Sequence, residues 1–229
     1  PAEVVPLPVV TASVVDVGAW AEHTISRAES PQSAARELAG GFDRAGASQP
    51  AWAGTYADVR MIVSTNLLSQ LGYFPRQYVQ NEFRNRFGQS FEKFTDAAER
   101  LECYFDRVRA RHVHDIAALK KAWAYVSTDV NAIVYALEDQ SLKIVTQSVP
   151  QNAGVELDDK GDVKFAWRAS IKERNDPLHG QKVKDLWPRG TPLDPPSRWV
   201  WHIVPQGTEK KYQDVGRVHV VEAWTKRPG

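Results

Sequence analysis

Residues 115–137 read DIAALKKAWAYVSTDVNAIVYAL. At 100° per residue, Ile116, Leu119, Trp123, Val126, Val130, Ile133, Val134 and Leu137 fall within an arc of about 100°, the stripe of a long amphipathic helix opened by Asp115. On this reading the stretch closes a helical region, and the fold of the N-terminal two-thirds follows from it.

Upstream, residues 90–111 carry Phe91, Phe94, Ala98, Leu101, Phe105 and Val108 on one face. Pro75 sits at a first-turn position, and Val79, Phe83 and Phe87 follow at intervals of four until Gly88 breaks the pattern. Three successive helices with short breaks predict an antiparallel bundle. Residues 55–71 are apolar on all sides and stop at Gly72, which predicts a central buried helix. Two short helices are expected earlier. One is capped by Asp16 and runs to Arg27; the other is capped by Ser30-Pro31 and ends before Gly40-Gly41. The first eleven residues are apolar and proline-punctuated, so they should run extended, as an arm lying on this chain or on a neighbouring copy.

Downstream of Pro150 the period changes to alternation. Residues 155–157, a turn at 158–161 and residues 163–171 read as a hairpin. A proline-rich loop covers 187–197, and strands follow at 198–204 and 217–224. The expected fold class is α+β: an extended arm over 1–15, an antiparallel helix bundle over 16–149, and a small antiparallel β-rich region over 150–229 packed on the bundle.

Composition excludes several classes. Hydrophobic residues are 42% and charged residues 25%, which suits a globular chain and not a disordered one. No apolar run approaches the roughly 18 residues of a membrane span, and no basic region precedes the apolar start. The expected location is therefore the cytoplasm or a virion, without a secretory signal or membrane partner. The single cysteine, Cys103, precludes an intramolecular disulfide, and its helical setting suggests a buried thiol. Net charge is +1, but the six acids and three bases of residues 1–54 give way to eleven acids and fourteen bases over 150–229.

The strongest charge pattern lies on the 90–111 helix. Lys93, Arg100, Arg107 and Arg111 project within an arc of about 40°, and Glu92, Asp96, Glu99, Glu102 and Asp106 lie on another side. Arg76, Arg84 and Arg86 extend the supply of bases. A line of cations can track a phosphate backbone, because each phosphate contact releases a counterion. The same line can equally pair with acids of neighbouring helices, face water, or meet acidic faces of other copies.

Six histidines call for a metal test, but His112 and His114 are two apart and lack the i,i+4 partner of zinc-protease motifs, so no metal site is expected. Dinucleotide, P-loop, nucleophile-elbow and zinc-deaminase signatures are missing, and no cofactor is expected. An enzymatic alternative centres on His202, His219, Glu222 and Arg168, with Arg198 and Arg217 nearby, the kit of a metal-independent nuclease or toxin-like enzyme. Alternation along a strand puts His219 and Glu222 on opposite faces, which weakens that reading. Trp187, Trp199, Trp201 and Trp224, interleaved with Arg189, Arg198, Lys210, Lys211 and Arg217, suit stacking on unpaired bases, or one buried sheet face.

Together these features lead to a non-enzymatic, self-assembling nucleic-acid-binding protein of the viral coat or nucleocapsid kind, homo-oligomeric, with RNA favoured over DNA. The alternatives are the small nuclease and a module that binds protein partners. A coat protein should expose Lys93, Arg100, Arg107 and Arg111 along a groove; a nuclease should hold His202 or His219 beside a carboxylate and an arginine.

Overall fold

The computed structural model describes residues 9–45, 58–138, 141–144, 155–157, 163–165, 182–204 and 216–229. The chain mixes helix and sheet. Four long helices, α1 (Val9–Arg27), α2 (Pro31–Ala45), α3 (Leu67–Phe87) and α4 (Thr95–Ala118), pack on one another, α1 against α3 and α2 against α4. The strands are β1 (Met61–Thr65), β2 (Trp123–Glu138), β3 (Ser141–Ile144), β4 (Val155–Leu157), β5 (Val163–Phe165), β6 (Ser197–Val204) and β7 (Gly216–Lys226), with a short α5 (Val183–Leu186). The main sheet runs β1-β2-β7-β6, with β3 also on β2; β4 and β5 form a separate pair.

The quoted stretch is therefore not one helix. α4 ends at Ala118, and β2 follows as the central strand, parallel to β1 and antiparallel to β7. Its density of β-branched and aromatic residues favours strand, and over residues 126–129, where consecutive residues are buried, it lacks the alternating exposure that would announce it. A bulge adds to the disguise. Pairing runs Asp129 with Val221 and then Asn131 with Val220, so the register parity changes at Val130. An extra residue of this kind turns a two-residue spacing locally into three, which mimics a helical period.

Residues 55–71 likewise divide. Residues 55–57 lie outside the described part; β1 takes 61–65, and α3 starts at Leu67 after Asn66, whose φ of 53° makes the sharp strand-to-helix turn. Asn66 N donates to Ser127 O at 2.7 Å, pinning the turn to β2. α3 then passes through both Gly72 and Pro75. A Cβ on Gly72 would lie 2.9 Å from Arg109 Nη1 and 3.3 Å from Phe105, so glycine here permits the close approach of α4 and does not end the helix.

Other expectations meet the structure unevenly. Ser30 caps α2 through Ser33 N→Ser30 Oγ at 3.1 Å, returned by Ser30 N→Ser33 Oγ at 3.2 Å, but the helix continues through Gly40-Gly41 to Ala45. Gly88 ends α3 with φ 65°. α1 begins at Val9, so Asp16 is internal to it and residues 9–11 are helical; residues 1–8 lie outside the described part, as do 158–162 and 166–171 of the expected hairpin. Cys103 is exposed, because it shares the outward face of α4 with Glu99 and Arg107.

The core lies between the helices and one sheet face. Ile62, Ala124, Val126 and Trp224 join Leu101, Phe105, Val113 and Ile116 in one buried cluster. Phe83 sits at the centre of a ring cluster, 4.9 Å from Phe87, 5.2 Å from Phe91 and 5.2 Å from Phe94. At the far end Lys226 Nζ donates to Leu119 O at 2.9 Å and Ala122 O at 3.0 Å, capping the exit of α4, and burial pushes its pKa down. The sheet thus joins strands from both sides of residue 150.

Candidate functional site

Each base of the α4 line has a definite place. Lys93 is exposed at the end of a 3-10 turn, Phe91–Lys93. Arg100 pairs with Asp43 of α2 and, at 3.0 Å, with Asp96. Arg107 donates to Phe42 O at 3.0 Å and lies 3.9 Å from Asp43. Arg111 Nε donates to the buried Asp115 at 2.9 Å. Arg76 pairs with Glu102 across α3 and α4. Arg84 and Arg86 are exposed near the end of α3, and Arg86 lies over the Phe87 ring. Of the line, Arg100 and Arg107 thus fasten α2 to α4 while Arg111 pairs within α4, and the side chains of Arg100 and Arg107 remain 42% exposed.

The C-terminal sheet separates the residues of the enzymatic constellation. Register pairs Arg198 with Glu222, His202 with Val218, and Trp201 with His219. Glu222 is buried under the helices, where Oε2 accepts from Arg198 Nε at 2.7 Å and Oε1 from Trp224 Nε1 at 2.7 Å. His219 has the opposite parity on β7 and lies elsewhere: its Nδ1 is 2.9 Å from Asp129 Oδ2, an oxygen that accepts from Ser69 Oγ at 3.4 Å. Sequence reasoning did not find Asp129, because the pairing of β2 with β7 that brings it near His219 joins residues remote in sequence. In a nucleophile relay the imidazole stands between hydroxyl and carboxylate. Here the carboxylate stands between Ser69 and His219. Arg168 lies outside the described residues. Among the described residues no group of His, Cys, Asp or Glu is placed to hold a metal ion.

The tryptophans divide by strand parity and layer. Trp224 and Trp187 are buried in the core. Trp199 and Trp201 are 40% and 48% exposed, on the sheet face opposite the helices and on β6, an outer strand of the sheet. They are two residues apart, so their Cα atoms stand about 6.7 Å apart along the strand. Arg217 on the adjoining β7 shares their register parity and has no ion-pair partner among the described residues. Lys210 and Lys211 lie outside the described part. The arrangement offers two ring faces beside a guanidinium that no described residue pairs, able to hold flat π-systems and an adjacent anion.

Compared with protein-family models, curated proteins and solved structures, the chain matches none. None of the described helices is long and apolar enough to cross a membrane.

Proposed function

We propose that this is a nucleic-acid-binding structural protein that self-associates, of the coat or nucleocapsid kind, and that it holds single-stranded nucleic acid, RNA in preference to DNA, on the β6–β7 surface. The observation that carries the reading is the exposed pair Trp199 and Trp201 on one strand, beside Arg217, which has no ion-pair partner among the described residues. Rings of this kind stack on bases without regard to sequence, each worth about 1–3 kcal/mol, and the cation neutralises phosphate. The α4 bases take a smaller part on this reading, since Arg100, Arg107 and Arg111 already hold intramolecular partners.

The test is tryptophan quenching on titration with oligouridylate and with oligothymidylate, for the parent chain and for Trp199→Ala with Trp201→Ala. Saturable quenching that the double variant loses supports the proposal. Quenching that persists in the variant places the ligand elsewhere, and none at all removes the function. Light scattering with the 260/280 nm absorbance ratio of each chromatographic peak reads self-association in the same preparation.

A metal-independent nuclease is the second reading, favoured by the Asp129–His219 pair alone. Strand cleavage in chelator, abolished by His219→Ala, would replace the first reading with this one.

A further inference from the structure

A second exposed apolar surface lies at the other edge of the sheet. Met61, Val63 and Trp123 are 63%, 55% and 47% exposed. Met61 pairs with Trp123 and Val63 with Tyr125, while the intervening Ile62 and Ser64 are buried, so the exposed side chains share the face turned from the helices. β1 is the terminal strand, and no described strand pairs with its outer edge. Three cations stand at the same end. Arg60 accepts Trp123 N on its carbonyl at 2.9 Å, and Lys120 and Lys121 form the turn into β2. All three are exposed and without an ion-pair partner among the described residues. Across residues 58–66 and 119–127 the only acid is Asp58.

We infer that the β1 edge is a docking site for an extended acidic segment of a partner protein, with apolar side chains at alternate positions, which adds to the sheet as a strand beside β1. Main-chain hydrogen bonds to the open edge supply affinity in this mode, and pockets for alternate side chains supply selectivity. The apolar set of such a segment would cover Met61, Val63 and Trp123. Its carboxylates would meet Arg60, Lys120 and Lys121, which sets the sign of the partner's charge.

Charge argues against a second copy as the occupant. The other outer strand, β6, holds no acid across residues 197–204, so edge-to-edge contact of two copies gives the cations beside β1 no counter-charge. The side chains argue against nucleic acid. Met61 and Val63 present aliphatic surface, and Trp123 is the one large ring among the three. This inference is independent of the β6–β7 reading.

The experiment is fluorescence anisotropy of a fluorescein-labelled peptide of alternating Glu and Val, titrated with the full chain. Its partners are the same peptide N-methylated at alternate backbone nitrogens, and a labelled oligouridylate. Saturable peptide binding is expected, weakened at least about tenfold by Lys120→Glu with Lys121→Glu and by N-methylation, and unchanged by Trp199→Ala with Trp201→Ala. Circular dichroism of the lysine variant checks its fold, and the N-methylated peptide tests the same contact on the parent chain. The inference is overturned by absence of saturable peptide binding, or by binding indifferent to N-methylation. Loss of oligouridylate binding with peptide binding intact in the lysine variant also overturns it, in favour of nucleic acid at this edge.

Discussion

Ser64 Oγ on β1 and His112 Nε2 on α4 share a hydrogen bond at 2.9 Å, tying the first strand to the helix behind it. Burial holds the His112 pKa down at about 4, against an ordinary 6.5. Between those values the unfolded chain takes up a proton that the folded chain refuses. Stability is therefore unaffected above about pH 6.5, falls as the pH drops toward 4, and loses ~3 kcal/mol in all from this group. Urea unfolding at pH 7.5 and pH 5 should show the parent chain losing about 2 kcal/mol more than His112→Gln, which keeps a polar side chain but does not titrate. Equal losses would show that His112 does not carry the dependence.

Glu222 binds two donors at once, the Arg198 guanidinium and the Trp224 indole. Glu222→Ala strands the indole N–H in the core and removes the carboxylate from Arg198, so a loss of about 3 kcal/mol is expected. Glu222→Gln, which can still accept from one donor, should lose less. Denaturant midpoints of the two variants read the difference, and equal midpoints would mean that the charge adds nothing.

Adjacent glycines of α2 should respond in opposite directions. A Cβ on Gly41 would sit within the Trp20 ring, whereas one on Gly40 meets only Arg44 Nη1 at 3.4 Å. In a helix interior Gly→Ala ordinarily gains up to about 1 kcal/mol. Gly40→Ala should therefore raise the melting temperature slightly, and Gly41→Ala should lower it by displacing the indole from Phe42, whose ring is 5.5 Å away. Thermal melts of the two variants decide it.

If single strands lie on β6 and β7, Arg217→Ala should weaken oligouridylate binding and reduce the slope of log affinity against log salt by about 0.7, one phosphate contact. Reversing Arg100, Arg107 and Arg111 together to Glu should instead lower thermal stability, since α2 loses its hold through Asp43 and the Phe42 carbonyl. Binding lost in the triple variant, with its melting temperature unchanged, would return the interface to α4.

Local chemistry was legible wherever neighbours in sequence decide it. The Ser30 cap, the Gly88 stop, and the opposite parity of His219 and Glu222 depend on a few adjacent residues and on a strand's two-residue repeat. The misread stretches are those whose partners are remote. Residues 123–138 present an arc of apolar side chains that fits a helix, and only pairing with β1 and β7, distant in sequence, makes them a strand.

The candidate surfaces divide along the same line. Sequence by itself determined a mixed α and β chain, the strands at 198–204 and 217–224, and a tryptophan pair with one parity on the first of them. Whether those rings face core or solvent was a property of the assembled sheet: the described helices pack on the face that holds Trp224, so it is buried and Trp199 and Trp201 are not. The same packing decided the fate of the α4 cations, because Asp43 reaches Arg100 from another helix 57 residues away. It also placed Asp129 against His219, and left the outer edge of β1 with no described strand beside it, near three cations. Periodicity records which side chains share a face, and burial and charge pairing depend on what the folded chain brings against that face.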